Sequence, residues 1–351
     1  MVVSVLQDLT AIEIPQSMKN LKIEPVTQGT SPVVSVVEIS EPTAVSQSLE
    51  VIKQDVVQLE SKPLRVRRVV IRLGRAVVLF HSTNLAVRTR TRLHADFVAC
   101  TAFGPQSVGA VNGLEVGPDR ILMTRPDTEV EFVVAAGYQS VAFLVPPEDL
   151  RTHLRDRQRE EDYPFCTDGL PGIELLKPSP ADARRLYRWG RKLTKIAAQQ
   201  PEILNLPQTR AFVQAELFEN LLATLGSVVR AELAPHDVTR QNHSRIVKLV
   251  QDYVLRHAAE RLHITDLCEA AGVSERTLQY AFREVMGMTP VAYLTRLRLH
   301  RVREGLLAAN HGTTTVTNEA LRWGFWHFGD FSCAYKRCFG ELPSETLRRN
   351  C

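Results

Sequence analysis

Arg276, Gln279 and Tyr280 stand three and four residues apart, so they share one face of a helix. A glutamine there can pair in bidentate fashion with adenine, and an arginine with guanine. Such chemistry needs a rigid rod that presents its polar edge outward. The stretch Ile264–Gly287 supplies one. Leu267, Ala270 and Ala271 recur at helical spacing in a first short helix, with Thr265 as its expected N-cap. Gly272 stops that helix, Val273 plugs the corner and Ser274 caps a second helix. Leu278, Ala281, Phe282 and Val285 form the buried stripe of the second helix, which leaves Arg276, Gln279, Tyr280 and Arg283 outside. Helix, glycine turn, helix is the outline whose second member can lie in a DNA major groove.

The chain repeats the outline. In Thr315–Gly340 a short helix ends at Gly324, Phe325 fills the corner, and a second helix buries Phe328 or Phe331, then Ala334, Tyr335 and Phe339. Between the copies Pro290–Leu307 reads as a helix with proline in its first turn. A helix of that length spans roughly 27 Å, close to the ~34 Å between successive major grooves on one DNA face. The second copy offers different chemistry. His327, Phe328 and Asp330 are its candidate base contacts, and Lys336 and Arg337 its candidate phosphate contacts. Ser274, Arg283 and Arg298 complete the phosphate set. Arg296, Arg298, Arg301 and Arg303 cannot all share one helix face, so some must pair with acids.

The paired arrangement resembles the DNA-binding domain of the AraC/XylS family of bacterial transcription regulators. The resemblance rests on Leu278-Gln279-Tyr280-Ala281-Phe282-Arg283, Gly287 with Pro290, and Arg296-Leu297-Arg298-Leu299. It continues in Ala320-Leu321-Arg322-Trp323-Gly324-Phe325, in Phe331 to Gly340, and in Pro343-Ser344. It covers about residues 244–349. It implies base contact at Arg276, Gln279 and Tyr280, and framework roles for Gly272, Leu278, Phe282, Gly324, Phe325, Phe331, Phe339 and Pro343. It also implies an N-terminal cupin-like barrel, followed by helices that hold a homodimer, and an activator that works with RNA polymerase.

Charge agrees with a DNA-binding C-terminal third. Residues 241–351 hold 15 Lys and Arg against 11 Asp and Glu, whereas residues 1–240 are balanced at 28 each. No apolar run reaches the ~18–20 residues of a membrane span, and the N-terminus lacks a basic leader. The expectation is a cytoplasmic protein without a membrane partner. Six scattered cysteines show no zinc or disulfide spacing. His81, His94, His153 and Glu115 lack metal-ligand spacing, so neither metal nor cofactor is expected.

Ahead of this third, residues 1–60 are poorly defined, and Gln28–Ser48 reads as loop or extended chain. Residues 61–233 read as a sensor and dimerisation domain of α+β class. Short strands lie at 67–72, 76–82, 97–103, 106–111, 114–116, 121–124, 129–134 and 140–146, with Asn112-Gly113 as a hairpin turn. Their number and spacing suggest a small antiparallel barrel or jelly roll. Arg67-Arg68, Leu73-Gly74 and Thr83-Asn84-Leu85 resemble one subgroup of the family. Arg88, Arg90 and Arg92 would share one strand face, paired with acids or facing an anionic effector. Helices follow at 148–159, 180–199 and 206–232. Residues 234–243 read as a linker, and 244–351 as the DNA-binding domain with motifs at 265–286 and 315–339.

No G-x-S-x-G, HExxH, P-loop or G-x-G-x-x-G occurs, so no enzyme site is expected. The reading is a sequence-specific regulator of duplex DNA, controlled by an unidentified small molecule or by dimerisation through its N-terminal domain. The rival is a DNA-repair or DNA-modifying enzyme targeted by the same domain.

Overall fold

A computed structural model describes residues 32–47, 51–156, 172–228, 235–258, 260, 262–309 and 313–349. Expectations for the first 31 residues, and for Cys166 and Cys351, fall outside them.

The N-terminal half is rich in valine, isoleucine and threonine, whose branched side chains favour β-sheet. The strands are β1 (Val34–Ile39), β2 (Ile52–Gln58), β3 (Val66–Leu73), β4 (Ala76–Thr83), β5 (Val87–Leu93), β6 (Val98–Phe103), β7 (Gly109–Val111), β8 (Leu114–Val116), β9 (Ile121–Thr124), β10 (Glu129–Val134), β11 (Gln139–Val145) and β12 (Ile173–Leu176). They form two antiparallel sheets, ordered β1-β3-β4-β11-β6-β9-β12 and β2-β5-β10-β7-β8. The two sheets face each other and stay open, the double-sheet form of the expected barrel or jelly roll. Asn112 (φ 45°) and Gly113 (φ 84°) make the expected two-residue turn between Val111 and Leu114.

Within the stretch read as loop or extended chain, Val34–Ile39 takes the extended alternative and joins a sheet. Val34, Val36 and Val37 pair with Ile71, Val69 and Arg68 as an edge strand. A short helix α1 (Pro42–Gln47) follows. Serine and proline around the valines hid the alternation.

One apolar core lies between the seven-stranded sheet and helices α3 (Pro180–Gln199) and α4 (Pro207–Gly226), with α2 (Pro147–Asp156) at its edge. Leu186, Trp189, Leu193 and Ala197 are buried on α3 as the helical period requires. A second core fills part of the space between the sheets, with Val56, Val87, Phe103, Val111, Leu122, Val134 and Tyr138.

The C-terminal half is helical: α5 (Pro235–Arg256), α6 (Ile264–Ala271), α7 (Glu275–Met286), α8 (Pro290–Ala308), α9 (Val316–Arg322), α10 (Phe328–Phe339) and α11 (Pro343–Arg348). The stretch 234–243, read as a linker, is helical from Pro235 onward. Val247, Val250 and Val254 of α5 pack with Leu267, Leu278, Phe282 and Tyr293. Val57 and Leu59, from β2 and just beyond it, join the same cluster, so the two halves share apolar packing.

Candidate nucleic-acid interface

The two helix-turn-helix units close their turns in the same way. Gly272 (φ 65°) and Gly324 (φ 74°) both adopt the left-handed conformation, which costs glycine little and other residues more. At the first turn the Gly272 N–H donates to the Glu269 carbonyl at 3.1 Å and the Val273 N–H to Cys268 at 3.0 Å. At the second, the Gly324 N–H donates to Leu321 at 3.0 Å and the Phe325 N–H to Ala320 at 2.9 Å. Paired bonds of this kind satisfy the last helical carbonyls and fix the exit direction. The N-cap of the first helix lies two residues earlier than expected. It is His263, whose N–H donates to the Asp266 carboxylate at 2.7 Å, in place of Thr265.

On α7, Leu278, Ala281, Phe282 and Met286 are buried. Ser274 caps the helix, its hydroxyl accepting from the Thr277 N–H at 3.2 Å. Arg276, Tyr280 and Arg283 are exposed. The Arg276 guanidinium lies 5.5 Å from the centre of the Tyr280 ring, so the two form one patch. Gln279 is half-buried beside them, and its Oε1 has no hydrogen-bond partner. That oxygen is itself shielded from solvent, so the carboxamide must turn outward before it can meet any partner beyond the protein.

The second unit is built on rings. Phe331 and Tyr335 are buried, and Phe331 lies 5.0 Å from Phe325. Of Phe328 and Phe331, the latter is the core residue. Phe339 packs partly buried and Pro343 is buried. His327, Phe328, Gly329, Asp330, Cys333, Lys336 and Arg337 are exposed. So is Trp326, which the spacing argument passed over because it precedes the helix. Its signal was present: Phe325 already fills the corner, so a second large ring next to it has no core position.

Helix α8 spaces the units. Tyr293, Leu294 and Leu297 pack with the first, and Leu299, Val302 and Leu306 with the second. Its 19 residues span about 28 Å. The basic run divides in two. Arg301 donates to Asp55 at 2.7 Å, Arg303 to Glu41 at 2.8 Å, and Arg296 to the Ser61 hydroxyl at 3.0 Å. These three are held by the N-terminal half. Arg298 instead lies against the Gly324 turn, half-buried, with an unpartnered Nε. Burial lowers its pKa. Arg303 also reaches the second unit, donating to the Tyr335 hydroxyl at 3.2 Å and pairing with Glu341 at 2.9 Å.

Alternation on β5 places Arg88, Arg90 and Arg92 on one face as expected, and acids meet them. Arg88 pairs with Glu131 at 2.5 Å and lies within 3.5 Å of Asp55. Arg90 pairs with Asp252 of α5 at 2.7 Å, and Arg92 with Asp127 at 2.9 Å. Arg88 also donates to Gln251, which in turn donates to the Tyr293 hydroxyl at 3.0 Å. Gln58 completes the joint. Its N–H donates to the His300 Nε2 at 3.2 Å and its side chain to the Cys338 carbonyl at 2.7 Å. Burial pushes the His300 pKa down to about 3. It also pushes the Cys338 thiol up to about 11.

The other face of the same strands lines a cavity of about 770 Å³ of empty volume, open mouth included. Val87, Thr89 and Thr91 of β5, Ile52 and Gln54 of β2, and Val130 and Phe132 of β10 face it. Arg68 and His81 enter from the opposite sheet. The Arg68 guanidinium donates to the Gln54 carboxamide and, at 2.8 Å, to the Val45 carbonyl. Among the described residues no three His, Cys, Asp or Glu side chains are grouped to hold a metal, and His81, His94, His153 and Glu115 do not gather. No helix among them is long and apolar enough to cross a membrane.

Residues 267–349 match the model of a helix-turn-helix domain family. The chain is 42% identical over 103 residues to the "Probable thc operon regulatory protein" of Rhodococcus erythropolis, covering 29% of this chain and 31% of that one. It is 31% identical over 239 residues to the XylDLEGF operon transcriptional activator 3 of Pseudomonas putida, covering 68% of each. A solved probable AraC family transcriptional regulator from Rhodopseudomonas palustris shares 35% identity over 30% of this chain and 96% of its own, with a TM-score of 0.28. The match therefore spans less than a third of the Rhodococcus relative and about two thirds of the Pseudomonas one. With both helix-turn-helix units in place and a relative aligned over two thirds of each chain, the protein belongs to the AraC/XylS family of bacterial transcription regulators.

Proposed function

We propose that this protein is a cytoplasmic, sequence-specific transcription activator that binds duplex DNA through α7 and α10. The observation that carries the reading is the exposure of both reading edges while both apolar stripes are buried against α8. Arg276, Gln279 and Tyr280 read bases in one groove. His327, Phe328 and Asp330 face the next. Arg283, Arg298, Lys336 and Arg337 hold phosphates, and Ser274 adds its cap position. The relatives named for operon activation support the sign of regulation. Recovery of bound genomic fragments by the full-length chain tests it. A regulator enriches a few sites upstream of genes, and its affinity falls steeply between low and moderate salt. Uniform recovery would refute sequence-specific reading.

The N-terminal half is the controlling half in this reading. Its cavity is lined mainly by apolar side chains, with Gln54, Arg68 and His81 at one region. That lining suits a small molecule with an apolar body and one hydrogen-bonding end. Strands β2, β5 and β10 give one face to the cavity and the other to α5 and α8. An occupant that reshapes the sheet would therefore move Asp55, Arg88 and Glu131, and bias the joint between the halves. A homodimer formed through this half, and contact with RNA polymerase at the promoter, complete the reading. Light scattering of the full-length chain tests the first. The alternative of a DNA-repair or DNA-modifying enzyme finds no support among the relatives.

A further inference from the structure

The two reading edges differ in kind. The first offers hydrogen-bonding groups: Arg276, Gln279 and Tyr280. The second opens with two large rings in water. Trp326 is 56% exposed and Phe328 42%, whereas Phe331 and Tyr335 on the same unit are 1% and 0% exposed. Packing therefore uses the other aromatics and leaves these two outside. They flank His327 at the N-terminal end of α10, the end of a reading helix that contacts base edges. Lys336 and Arg337, exposed and without ion-pair partners among the described residues, stand further along the same helix to meet phosphate.

Gly329 adds an independent observation. A Cβ built there would meet nothing within 4 Å, and its φ is not positive. Neither internal packing nor backbone conformation requires glycine, and in a first helical turn it costs stability. A missing side chain on an exposed reading edge does let the helix approach a groove floor closely.

We propose that the second helix-turn-helix unit reads DNA by apolar contact, with Trp326 and Phe328 packing on the 5-methyl groups of thymines. The major groove displays that methyl on thymine alone among the four bases. The operator is then asymmetric in chemistry. Under α7 it carries positions fixed by hydrogen bonding to adenine or guanine. Under α10 it carries one or two thymines fixed by their methyl groups. The inference rests on the DNA-binding reading above and adds the class of base edge that the second half-site must present.

Selection of duplexes from random sequence by the full-length chain, followed by base replacement in the selected site, tests it. Deoxyuridine in place of a thymine under α10 removes the methyl and keeps the pairing edge. Each replacement is expected to weaken binding about fourfold, from the loss of one buried methyl. The same replacement is expected to have no effect in a Trp326→Ala/Phe328→Ala variant, whose exposed substitutions spare the core. Equal affinity for thymine and deoxyuridine under α10, with base preference retained under α7, would overturn apolar readout and leave DNA reading intact. Loss of promoter activation in the variant with DNA affinity unchanged would likewise overturn it, and assign the rings to a protein partner. Enrichment of no sequence at all would overturn the DNA reading on which the inference stands.

Discussion

Asp55 of β2 accepts a hydrogen bond from Arg301 of α8 at 2.7 Å, across 246 residues of chain, and lies 3.5 Å from the buried Arg88. One carboxylate thus ties the sheet that walls the cavity to the rod that spaces the two DNA readers. Asp55→Ala should leave Arg301 without its interdomain partner and Arg88 with Glu131 and Gln251. A cost of about 1–3 kcal/mol is expected, less than for a fully buried pair because Asp55 keeps some solvent. Urea unfolding monitored separately in each half checks it. Unchanged, coincident transitions would show that the joint does not depend on this pair.

Gln279→Ala removes a side chain whose Oε1 is unpartnered in the protein. Stability should therefore change little, while operator affinity falls by about 1–3 kcal/mol and preference relaxes at one base pair. Selection of binding sites by the variant is the measurement. An identical selected motif would remove Gln279 from base reading.

Arg337 and Arg303 make a matched comparison. Arg337 is exposed on α10, whereas Arg303 is buried and held by Glu41 and Glu341. Arg337→Ala should flatten the plot of log affinity against log salt by about 0.9 for one lost phosphate contact. Arg303→Ala should leave that slope alone and lower stability instead. Titrations at four salt concentrations, beside thermal melts, separate the two roles.

His300 accepts a hydrogen bond from the Gln58 N–H, so it must be neutral in the folded protein. Burial holds its folded pKa near 3, with Arg296, Arg301 and Arg303 opposing its charge and Asp55 favouring it. The unfolded chain takes up the proton near pH 6.5. Stability from the neutral ring is therefore complete above pH 6.5 and declines as pH falls from there toward 3. At pH 5.5 the loss should be roughly 1–1.5 kcal/mol. Melts from pH 7.5 to 5 for the native chain and for His300→Gln measure it. The variant should lose that part of the pH dependence.

The sequence by itself determined the elements that depend on local chemistry. Gly272 and Gly324 stop their helices because the left-handed turn needs no Cβ. The three- and four-residue steps of Leu278, Ala281 and Phe282 orient α7, and those of Phe331 and Tyr335 orient α10. Asn112-Gly113 sets its hairpin. Each of these requires only neighbours within a few residues. Tertiary structure decided what required distant partners. It assigned Arg301 and Arg303 to Asp55 and Glu41, chose Phe331 over Phe328 for the core, and left Trp326 in solvent. It sorted the strands into two open sheets, and it gave the alternating sides of β5 to a cavity and to the DNA-binding half. A period of two tells which residues share a side of a strand, but what covers that side depends on chain that arrives from far away.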